Sequence, residues 1–242
     1  MSAPRLSVVI PAYNEAARLP KTLDRLNDYL GHRGTSYEIV VVDDGSSDGT
    51  ADVARVAGGR FLTLLGHERN RGKGHAVRRG MLAAGGERRL MTDADLSTPI
   101  EDLPRLEAAL DRGDDIAIGS RAVPGANVLV HQPFYREAMG RIFNHLVRLI
   151  ALPGLYDTQC GFKLFSAAAA EAAFGQALLD GFSFDVEALY VARRRGLRIA
   201  EVPVTWRNDA ASRVGFVGGG LAFLDLVQIR RNGWGGRYDR GR

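Results

Sequence analysis

The sequence of 242 residues contains a single cysteine, Cys160, which excludes an intramolecular disulfide and a cysteine cluster for zinc. A chain of this kind suits a reducing compartment. No run of 18 apolar residues is present, which excludes a transmembrane helix of ordinary length. The first apolar segment follows the amino terminus directly, so we expect no N-terminal signal. These absences predict a cytoplasmic protein that could act at a membrane only from its surface.

Lysine is also scarce: the chain has only Lys21, Lys73 and Lys163. Arginine supplies the remaining basic charge, and the formal net charge is +4. A mild positive charge suits anionic substrates or an anionic membrane surface. No basic stripe is interleaved with aromatic residues, so we expect no nucleic-acid partner. The hydrophobic content of 45% is that of an ordinary globular protein.

Short apolar segments alternate with helical patterns in the first half of the chain. The segments that predict strands buried on both faces are residues 6–10, 38–42, 60–65 and 90–92. The patterns that predict helices cover residues 14–30, 47–57 and 70–84. We expect Asn14 to cap the first helix. Alternation of strand and helix predicts right-handed crossovers and a parallel sheet, so the fold class is α/β.

A polar cluster follows each of these predicted strands. The clusters are residues 11–15, Asp43 with Asp44, residues 70–74, and Asp93 with Asp95. In parallel sheets the ligand crevice lies at the carboxyl ends of the strands. We therefore expect the four clusters to converge there.

Asp93 and Asp95 are two carboxylates one residue apart, between the fourth predicted strand and Pro99. Their hard oxygen atoms suit Mg²⁺ or Mn²⁺, and a metal ion here could hold a diphosphate. The alternative is an aspartate-rich turn without a ligand, because aspartate is common in turns. The neighbouring polar clusters favour the metal site.

The second cluster has two interpretations, and the third has one. Asp43 and Asp44 are either turn formers or acceptors for the hydroxyl groups of a ribose or the N–H of a base. The turn around Lys73 leads into a helix, whose backbone N–H groups suit an anion. Its spacing differs from that of a Walker A loop, so we do not expect a P-loop ATPase.

The second half of the chain contains two candidate surface helices, residues 134–150 and 216–231. The first has an apolar arc opposite a polar one, and it either packs on the sheet or lies on a membrane surface. Residues 161–165 alternate as in a short strand, and residues 157–159 before them predict a polar loop facing a sugar or a phosphate. Residues 233–242 predict a mobile basic tail.

Taken together, the motifs resemble those of family 2 glycosyltransferases of the GT-A fold. The segments that carry this resemblance are SVVIPAYNE (7–15), VDDGSSDGT (42–50), NRGKG (70–74) and DAD (93–95). Segments of the second half resemble dolichyl-phosphate β-glucosyltransferases and their bacterial polyprenyl-phosphate relatives. These segments are GSR (119–121), DTQCGFKLF (157–165) and FSFDVE (182–187).

The resemblance implies a Rossmann-like fold with a mostly parallel central sheet flanked by helices. We expect one domain over residues 1–232, with a nucleotide-binding half (1–98) and an acceptor-binding half (99–232). The implied reaction is the inverting transfer of a hexose, most simply glucose from UDP-glucose, to a polyprenyl or dolichyl phosphate. The implied partners are a nucleotide-sugar donor, a polyprenyl-phosphate acceptor and the cytoplasmic face of a membrane, where the protein would be peripheral.

The resemblance also implies roles for individual residues. The residues implied at the nucleotide are Pro11, Tyr13, Glu15, Asp43, Asp44 and Lys73. Asp93 and Asp95 would hold Mg²⁺ or Mn²⁺ beside the diphosphate and the sugar. Arg121 would stabilise phosphate charge, and Arg213, where relatives have lysine, would contact a phosphate.

Asp185 is the third expected catalytic residue, beside Asp95 and Arg121. It would act as a base or position the sugar. Asp185 and Glu187 do not share a helix face, so we expect one of them, Asp185, to point into the site. A phosphomonoester with a second pKa of about 6 is already anionic at neutral pH, so such an acceptor needs no base.

Three alternatives remain open. A family 2 enzyme could act on a small hydroxyl acceptor, or a polyprenyl-phosphate mannosyltransferase could use GDP-mannose. A nucleotide-sugar-binding module without catalysis is the third, although intact carboxylates and Arg121 argue against it. A nucleotide-sugar pyrophosphorylase would need a glycine-rich N-terminal signature, which is missing.

Overall fold

The computed structural model describes residues 3–130, 134–208 and 216–239. The strands in these ranges are β1 (Leu6–Ala12), β2 (Tyr37–Asp43), β3 (Leu62–Gly66), β4 (Arg88–Thr92), β5 (Ile116–Ser120), β6 (Asn127–Val130), β7 (Phe162–Ser166), β8 (Ile199–Pro203) and β9 (Thr205–Arg207). The helices are α1 (Leu19–His32), α2 (Thr50–Ala57), α3 (Lys73–Ala83), α4 (Leu103–Asp111), α5 (Phe134–Ile150), α6 (Ala167–Phe174), α7 (Phe184–Arg194) and α8 (Phe216–Trp234).

Seven strands form the central sheet, in the order β3-β2-β1-β4-β7-β5-β8. All adjacent pairs are parallel except the two that include β7, which runs antiparallel to β4 and β5. The predicted mostly parallel sheet is therefore confirmed. A separate two-stranded sheet joins β6 to β9. The chain order placed β1 to β4 in one parallel sheet, whereas the insertion of β7 is a result of tertiary pairing.

Helices cover both faces of the central sheet, because its strands are apolar on both sides. In β1, Val8 and Ile10 pack with α1, α2 and α4, whereas Val9 packs with α3 and with apolar residues of α5 to α8. On α1, Leu19, Leu23, Leu26 and Leu30 are buried at helical spacing, as the sequence predicts. Such a two-sided core leaves the strand ends free to carry the polar loops.

The start of α1 differs from the sequence-based expectation. Asn14 does not cap this helix, because α1 begins at Leu19 with Arg18 at the N-cap position. Asn14 instead has a positive φ of 56°. Its side-chain oxygen accepts a hydrogen bond from the backbone N–H of Ser47 at 2.9 Å. The loop after β1 is therefore tied to the loop after β2 rather than to its own helix.

Helix α5 has the predicted bounds, and its apolar residues divide between the core and the surface. Phe143 and Val147 are buried in the core, so the helix packs on the body of the protein. Ile142 and Leu149 are exposed to solvent at 55% and 72%. Helix α8 packs against α5, with the rings of Phe143 and Phe223 edge to face at 5.6 Å.

The predicted mobile tail from residue 233 is wrong for the part that the structure describes. Helix α8 continues to Trp234, and Tyr238 is buried, with 1% of its surface exposed. The Tyr238 hydroxyl donates a 2.7 Å hydrogen bond to Glu187 on α7. A high content of glycine and arginine suggested disorder, but one aromatic side chain anchors the segment in the core.

Candidate active site

The turn that carries Asp93 and Asp95 begins where β4 ends and is held from several sides. Its backbone turns at Leu96, which has a positive φ of 46°. The N–H of Ser97 donates to Asp95 Oδ1 at 2.9 Å. From α1, Thr22 donates its hydroxyl to the carbonyl of Ala94 at 2.6 Å. These contacts fix the turn and the Asp95 carboxylate at the carboxyl edge of the sheet.

Lys73, the first residue of α3, pairs with the first of these carboxylates. Its Nζ lies 2.6 Å from Asp93 Oδ1, and both side chains are partly exposed. Burial alone would lower the pKa of Lys73, but Asp93, Asp185 and Asp95 together hold it above its ordinary value. The resemblance implied that Lys73 lies at the nucleotide, and the structure places its ammonium group at the aspartate pair.

Asp44 holds the backbone of the turn that precedes Lys73. Its carboxylate accepts hydrogen bonds from the N–H groups of Arg71 and Gly72 at 3.0 and 2.8 Å. Its Oδ1 also lies 2.7 Å from His67 Nδ1. Gly72 has a φ of 103°, and a Cβ there would overlap the carbonyl oxygen of Asp180. Asp44 therefore acts here as a structural anchor for the Lys73 turn.

The loop after β1 contacts the loop after β2 through further hydrogen bonds. Asn14 N–H donates to Ser46 Oγ, and Glu15 N–H donates to Thr50 Oγ1, each at 2.8 Å. The Glu15 carboxylate pairs with Arg18 at 2.6 Å. The predicted convergence of the four polar clusters is thus confirmed.

Pro11, Tyr13 and Asp43 lie at this edge with different accessibility. Pro11 is partly buried within β1, and the Tyr13 side chain is exposed. Asp43 is buried and accepts a 3.2 Å hydrogen bond from the N–H of Ser46. Tyr13 is the member of this group that presents a large face to solvent.

Arg121 forms a bidentate ion pair with Asp157. Its Nε and one terminal nitrogen lie 2.7 and 2.8 Å from the two carboxylate oxygens, and its backbone N–H donates to the same group at 2.9 Å. Burial would raise the pKa of Asp157, but the guanidinium outweighs this effect and lowers it. The expectation that Asp157 faces a sugar or phosphate is wrong, because only 1% of it is exposed.

Asp185 pairs with Lys163, and both side chains are buried. The Lys163 ammonium also donates to the carbonyl of Cys160 at 2.6 Å. Burial raises the pKa of Asp185, an effect that Lys163 and Lys73 oppose. Asp185 is therefore electrostatically coupled to the Lys73–Asp93 pair.

Glu187 is buried like Asp185 but has a different environment. It accepts hydrogen bonds from the N–H groups of Leu178 and Leu179 at 2.9 and 2.7 Å, besides that of Tyr238. These contacts fix the loop before Asp180. The backbone carbonyl of Asp180 accepts a hydrogen bond from the N–H of Gly74 at 2.8 Å. Glu187 thus has a structural role. Both Asp185 and Glu187 are buried, although they do not share a helix face.

The carboxylates fit a hard divalent cation bound together with a substrate. In the described part of the chain, no third His, Cys, Asp or Glu completes a protein-only metal cluster. Mg²⁺ in phosphate-handling sites takes one or two carboxylates and completes its shell with phosphate oxygens and water. Burial raises the pKa of Asp95, and the charge of Asp93 adds to this effect. Nearby negative charge of this kind favours a cation.

Sequence reasoning missed the contributions of Gly161 and Lys163. A methyl group on Gly161 would overlap Oδ2 of Asp93, so this glycine sets how closely β7 approaches the aspartate turn. Lys163 alternates with apolar residues in β7, and the scarcity of lysine was the available signal for it. Arg213 lies outside the described residues. Within the described ranges, the helices are too short or too polar to cross a bilayer.

Known proteins with similar sequences share most of this chain. The family model described as "Glycosyl transferase family 2" matches residues 7–174. A dolichyl-phosphate beta-glucosyltransferase of Drosophila melanogaster is 41% identical over 86% of this chain and 69% of its own length. One from Saccharomyces cerevisiae is 33% identical over 93% of this chain and 74% of its own length.

Solved structures share the fold. Glucosyl-3-phosphoglycerate synthase from Mycobacterium tuberculosis, in complex with Mn²⁺ and uridine-diphosphate-glucose, superposes with a TM-score of 0.70. The two chains are 21% identical, and the match covers 94% of this chain and 79% of that one. The expected GT-A fold is confirmed. Because the family model and the curated relatives match most of the sequence, this chain belongs to glycosyl transferase family 2.

Proposed function

We propose that this glycosyltransferase transfers glucose from UDP-glucose to a polyprenyl phosphate, with inversion at the anomeric carbon. The observation that carries the proposal is the 33–41% identity to enzymes named dolichyl-phosphate beta-glucosyltransferase, over 86% or more of this chain. The charged cluster at the sheet edge supports it. A donor with a diphosphate and an acceptor with a phosphate both need cations at the site, and this edge provides Lys73 and Arg121.

In the proposed reaction, an oxygen of the acceptor phosphate attacks the anomeric carbon of glucose. A new bond forms between that oxygen and the carbon as the bond to the diphosphate breaks, and UDP leaves with the electron pair. The acceptor is already ionised at neutral pH, since its second pKa is about 6. The enzyme therefore has to align the two substrates and stabilise the leaving charge.

The side chains divide these tasks. Asp93 and Asp95 would hold Mg²⁺ or Mn²⁺, which supplies charge neutralisation for the leaving diphosphate. Lys73 places a positive charge beside the same turn. Asp157 fixes the guanidinium of Arg121 at the end of β5, where the exposed part of this side chain would meet a phosphate. The ionised acceptor needs no base, which leaves Asp185 the other role considered for it. Asp185 would position Lys73 and the sugar.

The test measures glucose transfer to a short-chain polyprenyl phosphate in detergent with Mn²⁺ present. Donors are UDP-glucose, UDP-galactose and GDP-mannose, and the variants are Asp95→Ala and Asp111→Ala. Asp111 is an exposed carboxylate that pairs with Arg88 and serves as the matched control. We expect a glucolipid from UDP-glucose with wild type and control and none with Asp95→Ala. Transfer only to small hydroxyl compounds, or only from GDP-mannose, would contradict the proposal.

We also infer that α5 and α8 rest on the membrane that contains the acceptor. The two helices pack side by side, and both expose large apolar side chains. These side chains are Ile142 and Leu149 on α5 and Leu224, Val227 and Trp234 on α8. Arg230 stacks on Trp234 at 5.2 Å, where a cation can reach an anionic head group.

Flotation with liposomes tests this inference. The double variant Leu149→Ser/Leu224→Ser should lose most of its binding to vesicles that contain anionic lipid, because about 2 kcal/mol of apolar burial is removed per leucine. The control Val56→Ser changes an exposed apolar residue on α2 and should bind like wild type. Equal binding by wild type and the double variant would show that these helices do not contact the membrane.

A further inference from the structure

A cleft of about 400 Å³ opens beside Asp95, on the side of the aspartate turn that faces α1. Its walls are one face of α1, the turn of residues 95–99, and the ribbon of β6 and β9. We call it the α1 cleft. Nothing in the reaction described above uses this space.

The walls of the α1 cleft are tied to one another. Thr22 of α1 donates to Ala94 in the aspartate turn at 2.6 Å. Arg207 of β9 donates its backbone N–H to the carbonyl of Ser97 at 2.9 Å. Thr205 donates its N–H to Asp102 at 2.6 Å. The cleft is therefore a built feature of the fold, since each wall is bonded to its neighbour.

Positive charge dominates the lining. Arg18, Lys21 and Arg25 follow one another at helical spacing along α1, and Arg207 faces them from β9. Arg18 pairs with Glu15, and Arg25 pairs with Glu101. Lys21 and Arg207 have no ion-pair partner among the residues that the structure describes. These two cations therefore remain available for an anionic ligand that reaches Asp95.

The outer edge of the cleft is apolar. Leu129 of β6 lines it and is 47% exposed, and Val130 beside it is also exposed. Along the chain, this edge is followed closely by Phe134, the exposed first residue of α5. A cationic interior with an apolar exit suits a ligand that has an anionic head and a hydrocarbon chain.

We propose that the α1 cleft binds the phosphate of the acceptor through Lys21 and Arg207, and that the hydrocarbon chain leaves over Leu129 and Val130. This proposal rests on the proposed function, because it concerns the second substrate of the same site. It assigns to α1 and β9 the task of bringing the acceptor phosphate to the aspartate turn. The recognised chemistry is a phosphomonoester, which a lipid or a small phosphorylated compound could carry.

The first experiment compares wild type with Lys21→Gln, Arg207→Gln and the double variant in steady-state kinetics. We expect the KM for polyprenyl phosphate to rise about tenfold or more in the double variant, because charge-assisted hydrogen bonds are lost. The KM for the donor should stay within about twofold of wild type. Arg112→Gln, at an exposed arginine after α4, is the matched control. A raised donor KM, or an unchanged acceptor KM, would overturn the proposal.

A second experiment measures equilibrium binding without turnover, by the fluorescence anisotropy of a prenyl phosphate labelled at the end of its chain. Wild type should bind the probe, and the double variant should bind it about tenfold more weakly or worse. This measurement separates the two proposals: wild type that binds through these residues but transfers no sugar would refute the proposed function alone. Wild type and double variant with equal affinity would refute the role of the cleft alone.

Competition identifies the source of the phosphate. Geranyl phosphate should displace the probe better than glycerol 1-phosphate, because the latter lacks the apolar chain. Geraniol, which lacks the phosphate, should displace it poorly. Displacement by geraniol as strong as that by geranyl phosphate would overturn phosphate recognition. Stronger displacement by glycerol 1-phosphate would overturn the apolar exit.

Discussion

The ammonium group of Lys73 lies 2.6 Å from Oδ1 of Asp93, so the chain itself provides a counter-ion to the aspartate turn. A divalent cation bound at this turn would compete with Lys73 for the same carboxylate. The proposed metal site would then be linked to the position of α3, which begins at Lys73. Lys73 would become available to a phosphate oxygen when a metal binds Asp93.

Lys73→Met should therefore strengthen Mn²⁺ binding in the absence of nucleotide by about two- to fivefold, as removal of a partly exposed ion pair allows. Affinity for the nucleotide sugar should fall, because a cation beside the diphosphate is lost. Isothermal titration with Mn²⁺, and then with UDP, checks both effects. Arg112→Gln is the control, and weaker Mn²⁺ binding by Lys73→Met would contradict the competition.

Gly161→Ala should remove most of the activity while the protein stays folded. The added methyl overlaps Oδ2 of Asp93 and displaces that carboxylate, and a displacement of about 1 Å can cost about 100-fold in rate. The control is Gly140→Ala on α5, where a Cβ meets no atom within 4 Å. Activity of Gly161→Ala near that of wild type would show that the position of Asp93 is not critical.

Asp157→Asn should lower the free energy of unfolding at pH 7 by about 2–3 kcal/mol, because hydrogen bonds between charged groups are lost. The pKa of Asp157 is lower in the folded state than in the unfolded state, where it is about 3.9. Ionised Asp157 therefore contributes its full stabilisation above the unfolded pKa, and this stabilisation disappears as pH falls through the folded pKa. Urea unfolding at several pH values should show that the free energies of unfolding of Asp157→Asn and wild type approach each other below about pH 4. Asp111→Asn, at an exposed ion pair, should differ from wild type by less than about 0.5 kcal/mol at every pH.

Cys160 should resist thiol reagents in the native protein. It is fully buried, and burial raises the pKa of its thiol to about 11, so very little thiolate exists at pH 8. Ellman's reagent should label one thiol per chain in 6 M guanidinium and almost none without denaturant. Rapid labelling of the native protein would show that the region around β7 opens readily.

Tyr238→Ala should lower the free energy of unfolding by about 3–5 kcal/mol, the usual cost of truncating a buried aromatic ring. Tyr238→Phe should cost about 1–3 kcal/mol, because Glu187 loses a hydrogen-bond donor. Trp234→Ala is the control in the same segment, since that ring is exposed. Equal stability of Tyr238→Ala and Trp234→Ala would mean that the C-terminal segment is not anchored in solution.

Local sequence patterns determined much of this protein. The order of strands and helices through residue 95 follows from continuous apolar segments and helical spacing. The convergence of the polar loops follows in turn, because parallel strands end at one edge of a sheet. The bounds of α5 and its amphipathic character were also readable from spacing alone. Each of these features depends on residues that are close in sequence.

Tertiary structure decided the partners of the charged side chains. The antiparallel insertion of β7 between β4 and β5 brings Gly161 to Asp93 and buries Lys163 beside Asp185. The pairing of Arg121 with Asp157 and the anchoring of Tyr238 on Glu187 join residues 36 and 51 positions apart. Such pairs form because a buried charge or hydroxyl must find a partner wherever packing places one, and sequence spacing contains no record of that choice.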